Sequence, residues 1–241
     1  MKTCLAIPAR KNSARLANKL FLPIGNKSVL EHTIERALDC HFFDETWLVT
    51  DDADIADIGT TYGLKVLFSS KMCSNGTERI AQLLSTSEAE VFVNLQADEV
   101  EAHPDTIKMV LHTCLNGAQM ASAMYRLTCW SDIHNPNIVK VCCNQQNQAL
   151  YFSRSVIPHC NPQSQGPVPI IYGHVGIYAF QREVLQTIAS HSPCFMEQQE
   201  RLEQLRALYL GYSISMIECE QSISINTAED LVRFRQIKNS R

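Results

Sequence analysis

The sequence predicts an α/β fold with a mostly parallel central sheet and a mixed-sheet extension. In the first half of the chain, short apolar runs typical of strands alternate with amphipathic segments typical of helices, which favours parallel strands joined by helical crossovers. After about Met120 the pattern shifts to a series of strand-like runs, which indicates mixed or antiparallel pairing. The chain has 241 residues, 45% of them apolar, so it can bury a sizeable core.

The first half contains four predicted strands and three predicted helices. The strands cover residues 3–8, 46–50, 65–68 and 91–95, and the helices cover residues 29–39, 53–63 and 77–84. Ser28 is a candidate cap for the first helix, because its hydroxyl can accept a backbone N–H of the first turn. Gly63 closes the second helix, because glycine readily takes the left-handed conformation that ends helices.

The second half contains predicted strands at residues 121–128, 138–143, 149–153, 177–180 and 213–218, with a loop at 166–169. Residues 195–210 are predicted to form one amphipathic helix, with Leu202, Leu205, Leu208 and Tyr209 facing inward. A closing helix is predicted at residues 227–237, with Asn226 as an Asx-like cap.

Composition excludes several classes of protein. A net charge of −4 and an isoelectric point near 6.1 argue against a partner that is a nucleic acid or an anionic membrane. No run approaches the ~20 apolar residues of a membrane span, and the first residues are too short for a secretory signal. The ten cysteines lack zinc-ligand spacing, which predicts core thiols in a reducing compartment. A cytoplasmic location is therefore expected.

A basic loop follows the first predicted strand. Arg10, Arg15 and Lys19 are spaced through residues 7–19, a segment without hydrophobic periodicity. Ligands of open α/β sheets bind beyond the carboxyl ends of the strands, often at a turn into a helix. The loop therefore predicts an anion site, with a polyphosphate as its ligand, and a solvated basic loop is the alternative.

Two turns add further candidate residues. Asn75 and Gly76 precede a helix that carries Arg79, an arrangement that suits an anion or a base and also an ordinary capped helix start. Asp98 and Glu99 follow the strand at 91–95, where carboxylates close to phosphates are typical Mg²⁺ ligands. A solvated acidic turn is the alternative for the second pair.

Two strand segments carry further candidate site residues. Arg154 follows the strand at 149–153, and His174 and Tyr178 lie in a later one. His174 and Tyr178 lie four residues apart along the strand, so they have different neighbours unless the strand bends at Gly176. Asp98, Arg154 and His174 indicate a site only if the fold brings them together.

The order and spacing of these segments resemble the 3-deoxy-manno-octulosonate cytidylyltransferase (CMP-Kdo synthetase) family over nearly the whole chain. The matching motifs are Pro8-Ala-Arg-x-x-Ser13-x-Arg15-Leu-x-x-Lys19, Asn75-Gly-Thr-Glu-Arg79, Gln96-x-Asp98-Glu99, Asn135-Pro-Asn, Val139-Lys-Val141, Ala149-Leu-Tyr-Phe-Ser-Arg154, Ile157-Pro158, His174-Val-Gly-Ile-Tyr178, Leu202-Glu-Gln-Leu-Arg206 and Thr227-Ala-Glu-Asp-Leu231. The resemblance implies a glycosyltransferase-A-like nucleotide-diphospho-sugar transferase fold. It also implies transfer of CMP from CTP to a 2-keto sugar acid, with release of pyrophosphate, for lipopolysaccharide or other surface-glycan synthesis.

The same resemblance assigns roles to residues. The implied catalytic residues are Arg10, Arg15, Lys19 and Asp98. The implied nucleotide-binding residues are Ala9, Arg10, Lys19, Asn75, Gly76, Arg79 and Gln96. The implied sugar-acid residues are Arg15, Gln96, Arg154, His174, Tyr178 and Glu203, with Glu200, Gln198 and Gln199 as competitors of Glu203. The implied ligands of Mg²⁺ are Asp98 and Asn226.

The resemblance further implies one cytidylyltransferase domain and a homodimer. Its expected parts are a nucleotide-binding part at about 1–118, a mixed-sheet sugar-binding and dimerisation lobe at about 119–190, and closing elements at about 191–241. Residues 168–172 are apolar enough to meet a partner, or to form an internal strand.

The chain departs from the family pattern at the expected site. Asn226 replaces an aspartate that serves as a second metal ligand, so metal affinity is expected to fall. Ala17 and Asn18 replace Pro-Gly, and Ala97 replaces a glycine, which places Cβ atoms where glycine can take a positive φ. Three functions therefore stay open: a CMP-Kdo synthetase, a cytidylyltransferase for a different acid, and a weakly active or non-catalytic nucleotide-binding paralogue.

Overall fold

The computed structural model describes residues 1–11, 16–160 and 167–239, so Arg15 and the start of the loop predicted at 166–169 lie outside the described residues. The strands are β1 (Thr3–Ala9), β2 (Pro23–Ile24), β3 (Lys27–Ser28), β4 (Glu45–Thr50), β5 (Lys65–Phe68), β6 (Val91–Leu95), β7 (Met120–Arg126), β8 (Lys140–Cys143), β9 (Ala149–Ser153), β10 (Tyr172–Gln181) and β11 (Ile214–Glu218). The helices are α1 (Val29–Leu38), α2 (Ala53–Thr61), α3 (Gly76–Ile80), α4 (Pro104–Leu115), α5 (Trp130–His134), α6 (Arg182–Ser190), α7 (Phe195–Glu200), α8 (Leu205–Tyr209) and α9 (Ala228–Asn239).

The main sheet has the order β11-β7-β10-β6-β1-β4-β5, with β8 and β9 attached beside β10. The pairs β6–β1, β1–β4, β4–β5 and β7–β11 are parallel. β10 runs antiparallel to β6, β7 and β8, and β8 runs antiparallel to β9. A mostly parallel sheet with a mixed extension was predicted, and the topology confirms it.

Apolar clusters cover both faces of this sheet. Alternate residues of β1 enter the two clusters: Leu5 and Ile7 pack on one face, and Cys4 and Ala6 pack on the other. The position of β1 between two parallel neighbours therefore explains why all of its residues are buried. All ten cysteines are free thiols, and four of them are buried.

Two helix starts follow from local sequence. Ser28 and Glu31 form a capping box at α1, because Ser28 Oγ accepts from Glu31 N at 3.3 Å and Glu31 Oε2 accepts from Ser28 N at 2.6 Å. Asp52 caps α2 by accepting from Ile55 N at 3.2 Å. Gly63 follows α2 with φ +75°, so the predicted glycine stop is confirmed.

β10 bends at Gly176, which is the condition that the sequence analysis set for His174 and Tyr178 to meet. Its register against β7 shifts between Val175 and Tyr178, which brackets Gly176. The bend brings the rings of His174 and Tyr178 to 5.2 Å between centroids. A Cβ at Gly176 would lie 2.7 Å from Glu99 Oε1, so the carboxylate of Glu99 approaches the backbone closely at this bend.

The predicted single helix at 195–210 is wrong. α7 ends at Glu200, Arg201 takes a left-handed conformation with φ 55°, and α8 begins at Leu205. The reversal at Arg201 ends the helical hydrogen-bond pattern and directs Glu203 towards the N-terminal end of α3. Tyr209, predicted to face inward, is 57% exposed.

The predicted cap at Asn226 is also wrong. Thr227 Oγ1 accepts from Asp230 N at 3.3 Å, and Asp230 Oδ2 accepts from Thr227 N at 2.8 Å, which is a capping box one residue later. Asn226 Nδ2 instead donates to Ser224 Oγ at 3.0 Å. The side chain of Asn226 is therefore not the helix cap.

Helices α4, α5 and α6 were not predicted. α4 nevertheless carries a helical pattern, because Ile107, Val110, Leu111 and Cys114 are buried at i, i+3, i+4 and i+7. His103 accepts the N–H of Asp105 at the start of α4. Among the described residues, no helix is long and apolar enough to cross a membrane.

We expect Gly59→Ala to destabilise the protein by about 1–3 kcal/mol, because a Cβ there would overlap Leu48 Cδ2 and approach Val66 Cγ2 to 3.2 Å. Urea unfolding followed by circular dichroism measures the change. Asp57→Ala, at an exposed position of the same helix, is the control. Equal stability of the two variants would contradict the close packing of α2 on the sheet.

Candidate active site

Two adjoining cavities, of about 510 and 570 Å³, open at the carboxyl ends of β1 and β6. Their shared lining residues are Pro8, Arg10, Gln96, Asp98, Asn137, Arg154 and Arg201. Predicted site residues that line the first cavity are Arg10, Asn75, Gly76, Arg79, Gln96, Asp98, Arg154, His174, Tyr178, Glu203 and Asn226. The fold therefore brings together residues that are separated by up to 216 positions.

Lys19 lines the second cavity and pairs with Asp98 across the junction of the two cavities. Asn18, just before it, has φ 51°, so the loop keeps a left-handed residue where the family pattern has glycine. Ala97 is not among the described residues with positive φ. Ala9 is buried at the end of β1 and does not line either cavity, so its nucleotide contact stays a prediction.

The turn before α3 is held at one wall of the first cavity. Asn75 Oδ1 accepts from Glu78 N at 2.9 Å and so caps the short helix. A Cβ at Gly76 would lie 2.7 Å from Gln96 Nε2 and 3.2 Å from Pro8 Cγ. The turn therefore lies close to the ends of β6 and β1, and glycine permits this approach.

Glu203 joins this turn to the strand end. Its Oε2 accepts from Thr77 N at 2.9 Å, and its Oε1 accepts from Gln96 Nε2 at 2.9 Å. Burial raises the pKa of Glu203, although the bond from Thr77 acts in the opposite direction.

Buried charges support the same wall. Arg206 donates to both carboxylate oxygens of Glu197 at 2.7 Å and to Glu78 Oε1 at 2.8 Å. Asn75 Nδ2 donates to both carboxylates at 3.3 Å. The bidentate pair of Arg206 with Glu197 is planar and directional, and it joins α8 to α7. The hydrogen bonds with Glu78 and Asn75 then join both helices to the turn before α3.

Arg79 has less freedom than the sequence indicated. It is 3% exposed, its Nη1 donates to Ser69 Oγ, and it lies 3.4 Å from Asp51 Oδ1. The guanidinium therefore lines the cavity as an anchored cation, and it is not a free one.

Arg154 forms part of the opposite wall. Its Nε donates to the carbonyl of Glu200 at 2.9 Å and its Nη1 to the carbonyl of Pro136 at 3.1 Å. Glu200 Oε2 accepts from Arg154 N at 2.9 Å, and Glu200 Oε1 accepts from Ser153 Oγ at 2.6 Å. The two competing carboxylates thus differ in place: Glu203 lines the first cavity and Glu200 the second.

Lys140, which the sequence reasoning did not select, anchors this wall from behind. The ammonium is fully buried and donates to the carbonyls of Asn135, Ile138 and Arg154 at 2.8–2.9 Å. Burial, followed by repulsion from Arg154, lowers the pKa of Lys140 to about 8. The loop at Asn137 and the backbone of Arg154 are therefore tied to one side chain.

His174 is neutral in the folded protein, because burial lowers its pKa to about 3. Ser122 Oγ lies 2.8 Å from His174 Nε2 and 2.7 Å from the carbonyl of Ile177. A hydroxyl has one proton, so Ser122 donates to Ile177 and accepts from Nε2–H. This hydrogen-bond network assigns the Nε2–H tautomer and leaves Nδ1 as an acceptor.

Two further residues line the floor of the first cavity. Tyr178 Oη donates to Gln204 Oε1 at 3.3 Å, and burial, followed by Glu203, raises the pKa of Tyr178. Burial, followed by the charge of Asp98, raises the pKa of Glu99 to about 8. Glu99 Oε1 accepts from Gly176 N at 3.1 Å, which fixes it at the bend of β10.

Asp98 and Asn226, the metal ligands that the resemblance implies, line the same cavity. Among the described residues, no group of three or more His, Cys, Asp or Glu side chains could hold a metal ion. Mg²⁺ is commonly bound by one or two carboxylates together with substrate phosphates. One carboxylate, one amide oxygen and a phosphate therefore form a donor set that fits Mg²⁺.

The sequence reasoning missed Asn137 and Arg201 as lining residues, and it named Glu99 only as a candidate metal ligand. Glu99 and Asn137 belong to motifs that were recognised, so their position next to assigned residues was an available signal. Arg201 carried no such signal, because the predicted continuous helix gave it no special place.

Comparisons with known proteins agree with this geometry. The profile of the cytidylyltransferase family matches residues 5–217. The chain is 37% identical to the 3-deoxy-manno-octulosonate cytidylyltransferase of Chlorobium chlorochromatii, covering 100% of this chain and 98% of the relative. It is 38% identical to the protein of that name from Flavobacterium johnsoniae, covering 98% of both.

Solved structures agree with the sequence relatives. CMP:2-keto-3-deoxy-manno-octonic acid synthetase complexed with CTP superimposes with a TM-score of 0.89 at 31% identity, covering 100% of this chain and 99% of that one. A glucose-1-phosphate thymidylyltransferase from Bacillus anthracis, described as putative, superimposes with a TM-score of 0.70 at 15% identity, covering 99% and 96%, and shares the fold. The predicted nucleotide-diphospho-sugar transferase fold is confirmed.

We expect His174→Asn to flatten the acid side of the stability profile. The folded protein keeps His174 neutral above about pH 3, whereas the unfolded chain takes up a proton below its usual pKa of 6.5. Wild-type stability therefore falls as the pH falls through this window, and the variant should lose about 1–2 kcal/mol less between pH 6.5 and 5. Urea unfolding at each pH measures this slope.

His112→Asn, at an exposed position of α4, is the matched control and should keep the wild-type slope. Parallel profiles for His174→Asn and wild type would contradict the neutral state of His174 in the folded protein.

Proposed function

The chain belongs to the cytidylyltransferase family, and we propose that it transfers CMP from CTP to 3-deoxy-manno-octulosonate, an eight-carbon 2-keto sugar acid. The products are the CMP-activated sugar and pyrophosphate. One observation carries the proposal: side chains suited to a triphosphate and side chains suited to a hydroxylated acid line the same two adjoining cavities.

The phosphate half of the site consists of Arg10, Lys19 and the turn at Asn75. Two cations beside a triphosphate bind its oxygens and stabilise the negative charge that builds up on the departing pyrophosphate. Arg15 completes this set in the proposal, as the family motif implies. The anchored Arg79 adds a fixed positive charge under the nucleotide side.

The acceptor half consists of Gln96, Arg154, His174, Tyr178 and Glu203. A guanidinium such as that of Arg154 pairs with the carboxylate of the acid. Neutral His174 can accept at Nδ1, and the oxygens of Glu203 can accept from sugar hydroxyls. These contacts orient one hydroxyl for in-line attack on the α-phosphorus, so that the new P–O bond forms as the bond to pyrophosphate breaks.

Mg²⁺ is the proposed cofactor, with Asp98 and Asn226 as the protein ligands beside the phosphates. When bound, the ion offsets the repulsion between two anionic substrates. The ion pair of Lys19 with Asp98 keeps a compensating cation next to this carboxylate.

We also propose that the protein works in the cytoplasm, as a homodimer, in surface-glycan synthesis such as that of lipopolysaccharide. Support for the dimer lies in the mixed-sheet lobe, where Leu150 and Ile170 are each 61% exposed. A contiguous exposed apolar patch is typical of an interface between protein chains, and these two side chains are the candidates for one in this lobe.

Pyrophosphate release tests the proposed reaction. Wild-type protein with CTP, Mg²⁺ and Kdo should release pyrophosphate well above a control without acceptor. Asp98→Ala should abolish release, because it removes the one carboxylate proposed to hold the metal, whereas the exposed Asp57→Ala should retain full activity. Other 2-keto sugar acids are assayed in parallel.

Each outcome decides between functions. Release with another acid and not with Kdo would change the acceptor, and CTP binding without release for any acid would favour a non-catalytic nucleotide-binding protein.

We expect Asn226→Asp to lower the Mg²⁺ concentration that gives half-maximal turnover by about 3-fold or more, because a carboxylate binds a hard cation better than an amide oxygen does. Gln186→Glu adds the same charge at an exposed position of α6 that lines neither cavity, and it is the control. Identical Mg²⁺ titrations for Asn226→Asp and wild type would show that this position does not hold the metal.

A further inference from the structure

Arg201 has an unusual backbone conformation. Asn18, Asn147 and Arg201 are the described residues other than glycine that have positive φ. Asparagine tolerates the left-handed region, and glycine is the usual residue directly after a helix, but arginine is favoured by neither rule. Unfavourable backbone conformations of this kind concentrate at ligand-binding sites.

The backbone conformation places Arg201 at the junction of the two cavities. Its N–H donates to the carbonyl of Glu197, which ends α7, and the chain then turns to place Glu203 at Thr77 N. Arg201 lines both cavities and is exposed to solvent. A guanidinium at this junction can contact a molecule bound in either cavity.

Three other cations that line the cavities already have partners, whereas Arg10, like Arg201, is exposed and lines both cavities. Lys19 pairs with Asp98, Arg79 with Asp51, and Arg154 donates to two backbone carbonyls. In the described parts of the chain, the Arg201 side chain forms no hydrogen bond or ion pair. Its donors are therefore available to a ligand, at a site that must receive two anionic substrates.

The second cavity indicates which substrate Arg201 meets. Arg154, Gln199 and Glu200 line it with Arg201, as do Arg10 and Lys19 of the phosphate side, whereas Asn75, Gly76 and Arg79 of the turn before α3 do not. Arg201 directly follows Glu200, whose carbonyl accepts from Nε of Arg154, the proposed ligand of the acid, at 2.9 Å. This placement favours the acceptor over the nucleotide.

We propose that Arg201 is a binding residue for the anionic acceptor, donating from its guanidinium to an oxygen of the sugar acid. The inference rests on the proposed function. Arg201 and Arg154 then supply two guanidiniums to one hydroxylated acid. This arrangement favours a substrate with several oxygen atoms that accept hydrogen bonds over a simple 2-keto acid.

Arg201→Gly tests this inference cleanly, because glycine keeps the left-handed backbone and removes only the side chain. We expect the KM for the acid to rise about 10-fold or more, as for the loss of a charge-assisted hydrogen bond, with the KM for CTP within about 2-fold of wild type. Arg201→Lys should retain part of the affinity, because it keeps the charge and loses the bidentate geometry.

Asn147→Gly is the matched control. Asn147 is also left-handed, in the turn between β8 and β9, and it lines neither cavity, so this variant should keep both wild-type KM values. Both variants are measured with the acid that wild-type protein turns over fastest. Unfolding curves for all variants show that the fold is retained.

The outcomes separate this inference from the proposed function. Wild-type turnover with an unchanged KM for the acid in Arg201→Gly would overturn the inference and leave the function intact. A rise in the KM for CTP alone would also overturn it and assign Arg201 to the phosphates. A wild-type protein without turnover for any 2-keto acid would overturn the proposed function and the inference with it.

Discussion

The carboxylate of Glu203 is the interaction on which the architecture of the site depends. It accepts one hydrogen bond from the backbone of the turn at Thr77 and another from Gln96 at the end of β6. These partners lie 126 and 107 residues away in the chain. One side chain therefore holds the turn at the start of α3, the end of β6 and the segment between α7 and α8 in a fixed relation. This arrangement requires α7 to end before Glu203.

Buried charge supports this arrangement from two sides. Arg206 with Glu78 and Glu197 ties α8 to the nucleotide turn, and Lys140 ties the wall at Arg154 to the loop before β8. A buried ion pair adds little net stability compared with apolar packing, but loss of one partner leaves an uncompensated charge. The network therefore acts mainly to specify one geometry of the cavity walls. Desolvation also keeps His174 neutral, so the first cavity offers a hydrogen-bond acceptor as well as cations.

The departures from the family pattern have unequal structural consequences. Asn18 keeps the left-handed conformation of a glycine, since asparagine tolerates that region. Ala97 is buried and accepts from Thr33 Oγ1 at 2.9 Å through its carbonyl, which any residue could do. Asn226 is different, because its change removes a negative charge beside Asp98. Of these three departures, only the one at Asn226 changes the charge of the cavity that Asp98 lines.

Local sequence determined most strands, the ends of α1 and α2, and the motifs that identify the family, because periodicity, caps and motif spacing are properties of neighbouring residues. The sequence left the bend at Gly176 open, as the condition for His174 and Tyr178 to meet, and the register shift of β10 decided it. Only the tertiary structure decided that residues 195–210 form two helices, that Glu200 and Glu203 line different cavities, and that Arg79 is anchored. Each of these outcomes depends on a hydrogen bond or ion pair with a residue that is distant in sequence, and no pattern along the chain records such a contact.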